Sequence, residues 1–180
     1  GYPYIRITVE EDYPRILYSH QMKRDHSKYF GPYTNSKAVK DIIELLKKLY
    51  HIRSCNKVLP RDMGLERPCL YHQIKQCMAP CQGYISKEDY NKNVQDAISF
   101  LNGNHGHVIR DLEKQMKELS EDMEFEQAAE IRDLIKSIHH IESTQRVGDT
   151  SADDRDVIAM ATDLGNECVI SIFFIRSGKM

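Results

Sequence analysis

Residues 55–81 read CNKVLPRDMGLERPCLYHQIKQCMAPC and contain four of the five cysteines of the chain, at the spacing C-x13-C-x7-C-x3-C. Pro60, Pro68 and Pro80 interrupt the stretch, and it sustains neither a helical nor a strand period. No signal peptide pattern precedes it, so clustered thiols indicate metal ligands rather than disulfides. The sequence therefore predicts a small module over residues 53–104, in which a metal site staples the irregular part and one helix follows.

The predicted metal ligands in this module are Cys55, Cys69, Cys77 and Cys81. Four thiolates can saturate a tetrahedral zinc ion or bind one iron each of a [4Fe-4S] cluster. Structural zinc sites usually use paired C-x2-C knuckles, which are missing here, so the spacing favours the cluster. Zinc and unliganded thiols stay open as alternatives. Cys168 begins an apolar run and is expected in a core, not at the metal.

Charge is distributed unevenly along the chain. The net charge is -2, but residues 1–85 carry 14 Lys and Arg against 8 Asp and Glu, whereas residues 86–180 carry 11 against 19. Phosphate contacts need cations, so the first half is expected to meet nucleic acid and the second half protein. No apolar run is long enough for a membrane span, and we expect a cytoplasmic protein.

Cations stand beside aromatic residues in the segment before residue 34, and more cations surround the cysteines. Phosphate neutralisation with base stacking is how distorted or single-stranded DNA is bound. The predicted DNA contacts are Lys23, Arg24, Lys28, Tyr29, Tyr33, Arg53, Lys57 and Arg67. The alternative for the rings is that they lock the turn as part of the core.

Alternating apolar residues at the N-terminus, separated by an acidic turn, predict a β-hairpin, and a helix capped by Asn35 or Ser36 follows it within residues 1–52. A second helix is expected to begin after Ser86, with Asp89 three residues on, and to end at residues 102–104.

Residues 105–143 contain two amphipathic patterns with a break near residues 120–124, which predicts a helical hairpin. So small a pair rarely buries enough apolar surface alone, and we expect it to pack on a protein partner. The predicted partner contacts are Leu112, Met116, Leu119, Phe125, Ala128, Ala129, Arg132 and Ile135. Phe125 is expected to anchor the contact; the alternative is that it only closes the core of the hairpin.

A polar linker is predicted over residues 144–155, and two apolar strands over residues 156–180 begin a further β-rich domain. The fold class is α+β and mainly helical. No catalytic residues are predicted, because Asp153, Asp154 and Asp156 have no acidic partner that the sequence places near them.

Several segments together resemble the UvrC family, the nuclease subunits of bacterial nucleotide excision repair. They are residues 2–8, residues 28–34, Ile52-Arg53-Ser54-Cys55, Arg67-Pro68-Cys69-Leu70 and Gln76-Cys77-Met78-Ala79-Pro80-Cys81. Residues 112–141 look like the UVR motif by which that family binds its partner UvrB. One departure is Tyr71-His72-Gln73-Ile74-Lys75, where the family often has Tyr-His-Ile-Gly.

The resemblance implies a middle fragment, between a GIY-YIG nuclease domain and an RNase H-like one, with both active sites outside it. It also implies a [4Fe-4S] cluster on the four clustered cysteines, and UvrB and damaged double-stranded DNA as partners. The sequence leaves open whether the hairpin self-associates when UvrB is absent. The alternative from another class is a regulatory adaptor of the McsA type, with zinc and a UVR motif. Its C-x2-C pairs are missing here, and the missing acid and base residues oppose a free-standing nuclease.

Overall fold

The structure is a computed structural model that describes residues 2–33, 36–145, 155–162 and 168–175. The chain divides into two compact units, residues 1–143 and residues 144–180. Each unit is described by itself.

The first unit opens with a three-stranded antiparallel sheet. Strands β1 (Tyr4–Ile7), β2 (Ile16–Ser19) and β3 (Lys28–Phe30) lie in the order β2-β1-β3. In β1, Ile5 and Ile7 are fully buried while Tyr4 and Arg6 are half-buried, as the alternation of side chains along a strand requires. The predicted β1–β2 hairpin is therefore present, but the sheet also contains a third strand, β3, which pairs with the other edge of β1.

Helix α1 (Ser36–Tyr50) packs on β1 and β2 through its apolar face, with Val39 and Leu46 fully buried. Asn35, one of the two predicted caps, lies outside the described residues. The cysteine stretch that follows is irregular except for helix α2 (Leu70–Gln73) and a single 3-10 turn at Pro80–Gln82.

Helix α3 (Lys87–Leu101) confirms the second predicted helix and its boundaries. The Ser86 hydroxyl accepts a hydrogen bond from the Asp89 amide at 3.1 Å, and Asn102 ends the helix. The face of α3 that carries Tyr90, Val94 and Ala97 is fully buried.

Replacing Ser86 with alanine is expected to lower the free energy of unfolding by about 1 kcal/mol, because the Asp89 amide loses its partner at the helix end. Urea denaturation followed by circular dichroism measures the change. Ser137→Ala, an exposed substitution on another helix, is the matched control and should stay within about 0.5 kcal/mol of the parent. Equal effects of the two substitutions would contradict the capping role.

The predicted helical hairpin consists of α4 (Gly106–Glu121) and α5 (Phe125–Gln145). Its residues do not form a separate core. Leu112, Ile135, Ile138 and Ile141 belong to the same hydrophobic cluster as the sheet, α1 and α3. The hairpin is thus built into the first unit.

In the second unit, strands β4 (Arg155–Thr162) and β5 (Cys168–Ile175) pair antiparallel, with Arg155 opposite Ile175 and Thr162 opposite Cys168. The side chain of Cys168 and most of the predicted linker lie outside the described residues. Among the helices that the structure describes, none has the length and apolar character needed to cross a membrane.

Candidate functional site

The four clustered cysteines line one pocket at the surface of the first unit, together with residues of α1 and of the segment before α3. We call it the cysteine pocket. Cys77 and Cys81 are buried, Cys55 is half-buried and Cys69 is exposed. All four are free thiols. The fold thus brings together thiols that lie as far as 26 positions apart in the sequence.

The donors around the pocket suit a metal held by sulfur. Burial is the main cause that raises the pKa of the Cys77 thiol to about 11; a hydrogen bond from the Ala79 amide opposes the rise, and the charges of the other three cysteines add to it. A bound cation would favour the thiolate instead. Arg53 Nη1 lies 3.7 Å from Cys55 Sγ and Gln82 Nε2 lies 3.8 Å from Cys81 Sγ, and such N–H donors tune sulfur ligands.

The side chains as they stand do not form a ready single-ion site. Across the part of the chain that the structure describes, no group of three or more His, Cys, Asp or Glu side chains is arranged to hold a metal ion. The shared pocket and soft donors fit the predicted class of cofactor, and the cofactor itself stays a prediction.

In the reduced, metal-free protein, alkylation at neutral pH is expected to modify Cys69 first and Cys77 last. Cys69 is exposed, whereas Cys77 is buried and its raised pKa keeps the thiolate fraction small. Peptide mass spectrometry of a time course measures the order, and urea-denatured protein, in which the rates converge, is the control. Equal rates for Cys69 and Cys77 in the folded protein would contradict this arrangement.

Arg53, predicted to contact DNA, is buried and hydrogen-bonded within the first unit. Its side chain is 2% exposed; Nε donates to the Tyr13 carbonyl at 2.8 Å, Nη1 to the Lys57 carbonyl at 2.7 Å, and Nη2 to the Glu11 carboxylate at 2.7 Å. Each of its three nitrogens donates to a partner within the protein, and its burial leaves little of the guanidinium for a phosphate. This placement argues against the DNA contact that its charge suggested.

The backbone of Arg53 is fixed as well. The Tyr90 hydroxyl accepts a hydrogen bond from the Arg53 amide at 2.9 Å and donates one to the Pro14 carbonyl at 2.7 Å. We call Glu11, Arg53 and Tyr90 the Arg53 junction. It joins the β1–β2 loop, α3 and the chain entering the cysteine pocket, and thereby positions Cys55 two residues later.

The other predicted DNA contacts fall into two groups. The exposed cations are Lys23, Arg24, Lys28 and Arg67, and none of them forms an ion pair among the described residues. The second group is already engaged within the protein. Lys57 pairs with Glu66 at 2.7 Å, the Tyr29 hydroxyl donates to the Asp25 carboxylate at 3.1 Å, and Tyr33 packs half-buried against the core.

The predicted partner contacts are also divided. Leu112, Ala128 and Ile135 are buried within the chain itself, at 7 to 8% exposure, so they support the hairpin rather than offer surface. Met116, Leu119 and Ala129 are half-buried, and exposed Arg132 pairs with Asp133 at 3.1 Å. Phe125 is 61% exposed and neighbouring Met123 is 76% exposed. The apolar surface left for a partner therefore centres on the tip of the hairpin.

Sequence reasoning missed the exposed side chains of α2. Leu70 and Tyr71 are 65% and 46% exposed, and Ile74, the residue that ends α2, is 49% exposed. Lys47 Nζ lies 4.8 Å from the centre of the Tyr71 ring. The i, i+4 spacing of Leu70 and Ile74 was the available signal, but an irregular, proline-punctuated stretch gave no reason to apply it.

Two family models match the chain. The model described as UvrC/Cho excinuclease, middle domain, matches residues 2–100, and the model described as UvrB/uvrC motif matches residues 107–141. The first match covers the cysteine pocket and the Arg53 junction, and the second coincides with the α4–α5 hairpin. The first match decides against the adaptor alternative, which shares only the UVR motif.

The curated relatives agree with the family models. UvrABC system protein C from Lachnospira eligens and from Acetivibrio thermocellus are each 50% identical to the chain over 180 residues, and that of Ruminiclostridium cellulolyticum is 43% identical over 179. These alignments cover 99 to 100% of the chain and 29% of each relative, so the chain spans less than a third of their length. No solved structure matches it. Because the middle-domain model accounts for more than half of its residues, the chain belongs to the UvrC family.

Proposed function

We propose that this chain is the central, non-catalytic part of an incision subunit in nucleotide excision repair. In this role it recruits UvrB and holds damaged DNA, while the longer protein cuts on both sides of the lesion. The observation that carries the proposal is the joining, in one compact unit, of a UvrC-type middle domain with a UvrB/uvrC-type hairpin whose tip exposes Phe125.

The partner half of the proposal rests on the hairpin. An exposed aromatic ring at the end of a supported helix pair is the kind of anchor on which protein interfaces concentrate their binding energy. Mixing the chain with purified UvrB should give a complex that sediments faster than either protein alone. Without UvrB we expect the chain to self-associate through the same tip, and added UvrB should dissociate those oligomers. Absence of any UvrB complex would overturn this half.

The DNA half rests on unpaired cations. Lys23, Arg24 and Lys28 follow β2 and begin β3, all exposed and without ion pairs among the described residues. We expect binding with little sequence preference and with an affinity that falls steeply between low and physiological salt. Fluorescence anisotropy with a labelled duplex measures both. The variant with all three replaced by alanine should bind more weakly and with a shallower salt dependence; unchanged binding would contradict the assignment.

For the cysteine pocket we propose a [4Fe-4S] cluster on Cys55, Cys69, Cys77 and Cys81. When bound, it would supply cross-links among segments that have little apolar content of their own. Anaerobic purification followed by iron and acid-labile sulfide analysis should find about four of each per chain. If the analysis found zinc and no sulfide, the iron assignment would be overturned, and only the prediction that a metal ion stabilises this module would remain. Replacing Cys168 should leave the metal content unchanged.

A further inference from the structure

An exposed apolar surface lies beside the mouth of the cysteine pocket. It consists of Leu70, Tyr71 and Ile74, which are 65%, 46% and 49% exposed. Leu70 and Ile74 are one turn apart, since the Ile74 amide donates to the Leu70 carbonyl at 2.9 Å. Tyr71 and Ile74 are three positions apart, so the three side chains occupy neighbouring positions around this short helix. Large apolar side chains left together in solvent mark an interaction site. We call it the α2 surface.

The charge around the α2 surface is positive. From Arg67 to Ser86 the sequence contains two cations, Arg67 and Lys75, and no acidic residue. Arg67 and Lys75 are exposed, and neither forms an ion pair among the described residues. The nearest acids in sequence are already engaged, Glu66 with Lys57 at 2.7 Å and Asp62 with Arg61 at 2.8 Å. The surface therefore complements a polyanion that also has flat apolar parts.

Nucleic acid with exposed bases has this combination. Lys47 Nζ lies 4.8 Å from the centre of the Tyr71 ring, so the 46% exposed ring can stack on a base while the cation beside it meets a phosphate. Leu70 and Ile74 are the type of side chain that enters between base steps as a wedge. A wedge that enters fully paired DNA must first unstack the base pairs, whereas unpaired bases can stack on a side chain without that cost.

We propose that the α2 surface binds unpaired bases in locally opened DNA. Tyr71 stacks on a base, Leu70 and Ile74 wedge against the neighbouring step, and Arg67 and Lys75 hold the flanking phosphates. The inference rests on the DNA half of the proposed function and adds the class of DNA and the surface that recognises it. It is separate from the Lys23–Lys28 cations, which can act on any duplex.

The chain contains no tryptophan, so a single introduced one reports directly on this surface. Tyr71→Trp should show saturable fluorescence quenching by a single strand of about 20 nucleotides and by a duplex with a central bubble, and much less quenching by the fully paired duplex. Tyr2→Trp is the matched control, because Tyr2 is 56% exposed but belongs to the N-terminal segment beside β1. Equal quenching at both positions would overturn the inference.

Affinity measurements separate stacking from charge. Leu70→Ser with Ile74→Ser should weaken binding to bubble DNA about tenfold and leave the salt dependence unchanged. Arg67→Ala with Lys75→Ala should instead lower the slope of log affinity against log salt by about 1.5. Unchanged circular dichroism verifies folding, as both pairs are exposed.

The outcomes distinguish this inference from the proposed function. If the parent chain binds no DNA at low salt, the DNA half of the proposed function fails and this inference with it. If the parent binds and only the Lys23, Arg24 and Lys28 variant loses affinity, the inference alone fails. If Leu70→Ser with Ile74→Ser weakens the UvrB complex and not DNA binding, the α2 surface is a protein-docking site and the inference is overturned.

Discussion

Replacing Arg53 with alanine is expected to lower the free energy of unfolding by about 3 kcal/mol, the low end of the cost of breaking a buried ion pair, because Glu11 keeps its second partner Arg15. The substitution also leaves the carbonyls of Tyr13 and Lys57 without their donor. Urea denaturation of the chain, followed by circular dichroism, gives the change.

The matched control is Arg67→Ala, an arginine in the same module that is exposed and unpaired among the described residues; it should change stability by less than about 0.5 kcal/mol. Tyr90→Phe removes the hydroxyl that bridges the Arg53 amide and the Pro14 carbonyl, and should cost about 1–3 kcal/mol. The double variant should cost less than the sum of the two, since both act on one junction. Equal stability of Arg53→Ala and Arg67→Ala would show that the junction stabilises nothing.

Phe125→Ala is expected to weaken UvrB binding by about 2 kcal/mol or more, which is roughly thirtyfold in Kd, since a buried aromatic anchor contributes most of the apolar area at such contacts. Isothermal titration calorimetry measures the loss. Helicity should be preserved, because Phe125 is 61% exposed in the chain alone and its removal opens no cavity.

Ile138→Ala provides the contrast on the same helix. Ile138 is fully buried, so its truncation should lower stability by about 2–5 kcal/mol and weaken UvrB binding only as far as the hairpin unfolds. Lys114→Ala, on an exposed face of α4, is the neutral control. Loss of helicity in Phe125→Ala would assign the ring to the core of the hairpin, and unchanged affinity would contradict its role as anchor.

The helices were predictable because their determinants are local. Ser86 lies three residues before the amide it caps, and the break between α4 and α5 falls within the predicted interval. The convergence of the cysteines on one pocket was also predictable in outline, since an irregular stretch with four thiols has little else to organise it.

The remaining features depend on contacts between distant residues. Strand β3 has only three residues, and its place in the sheet is determined by pairing with β1 more than 20 positions earlier. Arg53 was assigned to DNA by its charge, but its partners Glu11 and Tyr90 lie 42 positions before and 37 positions after it. Neither separation leaves a periodic signal in the sequence.

The packing of the hairpin base in the common core determines how far the tip of the hairpin lies from that core. At its base, Ile138 and Ile141 enter the common core and His105 meets Glu142 at 3.2 Å, whereas Phe125 stands thirteen positions before Ile138, about 20 Å along the helix. A molecule bound at that tip is held by a rigid helix pair and not by a flexible linker, so its position relative to the first unit is restricted. If UvrB binds at this tip as proposed, α5 fixes the distance and orientation of UvrB relative to the first unit as well as its occupancy.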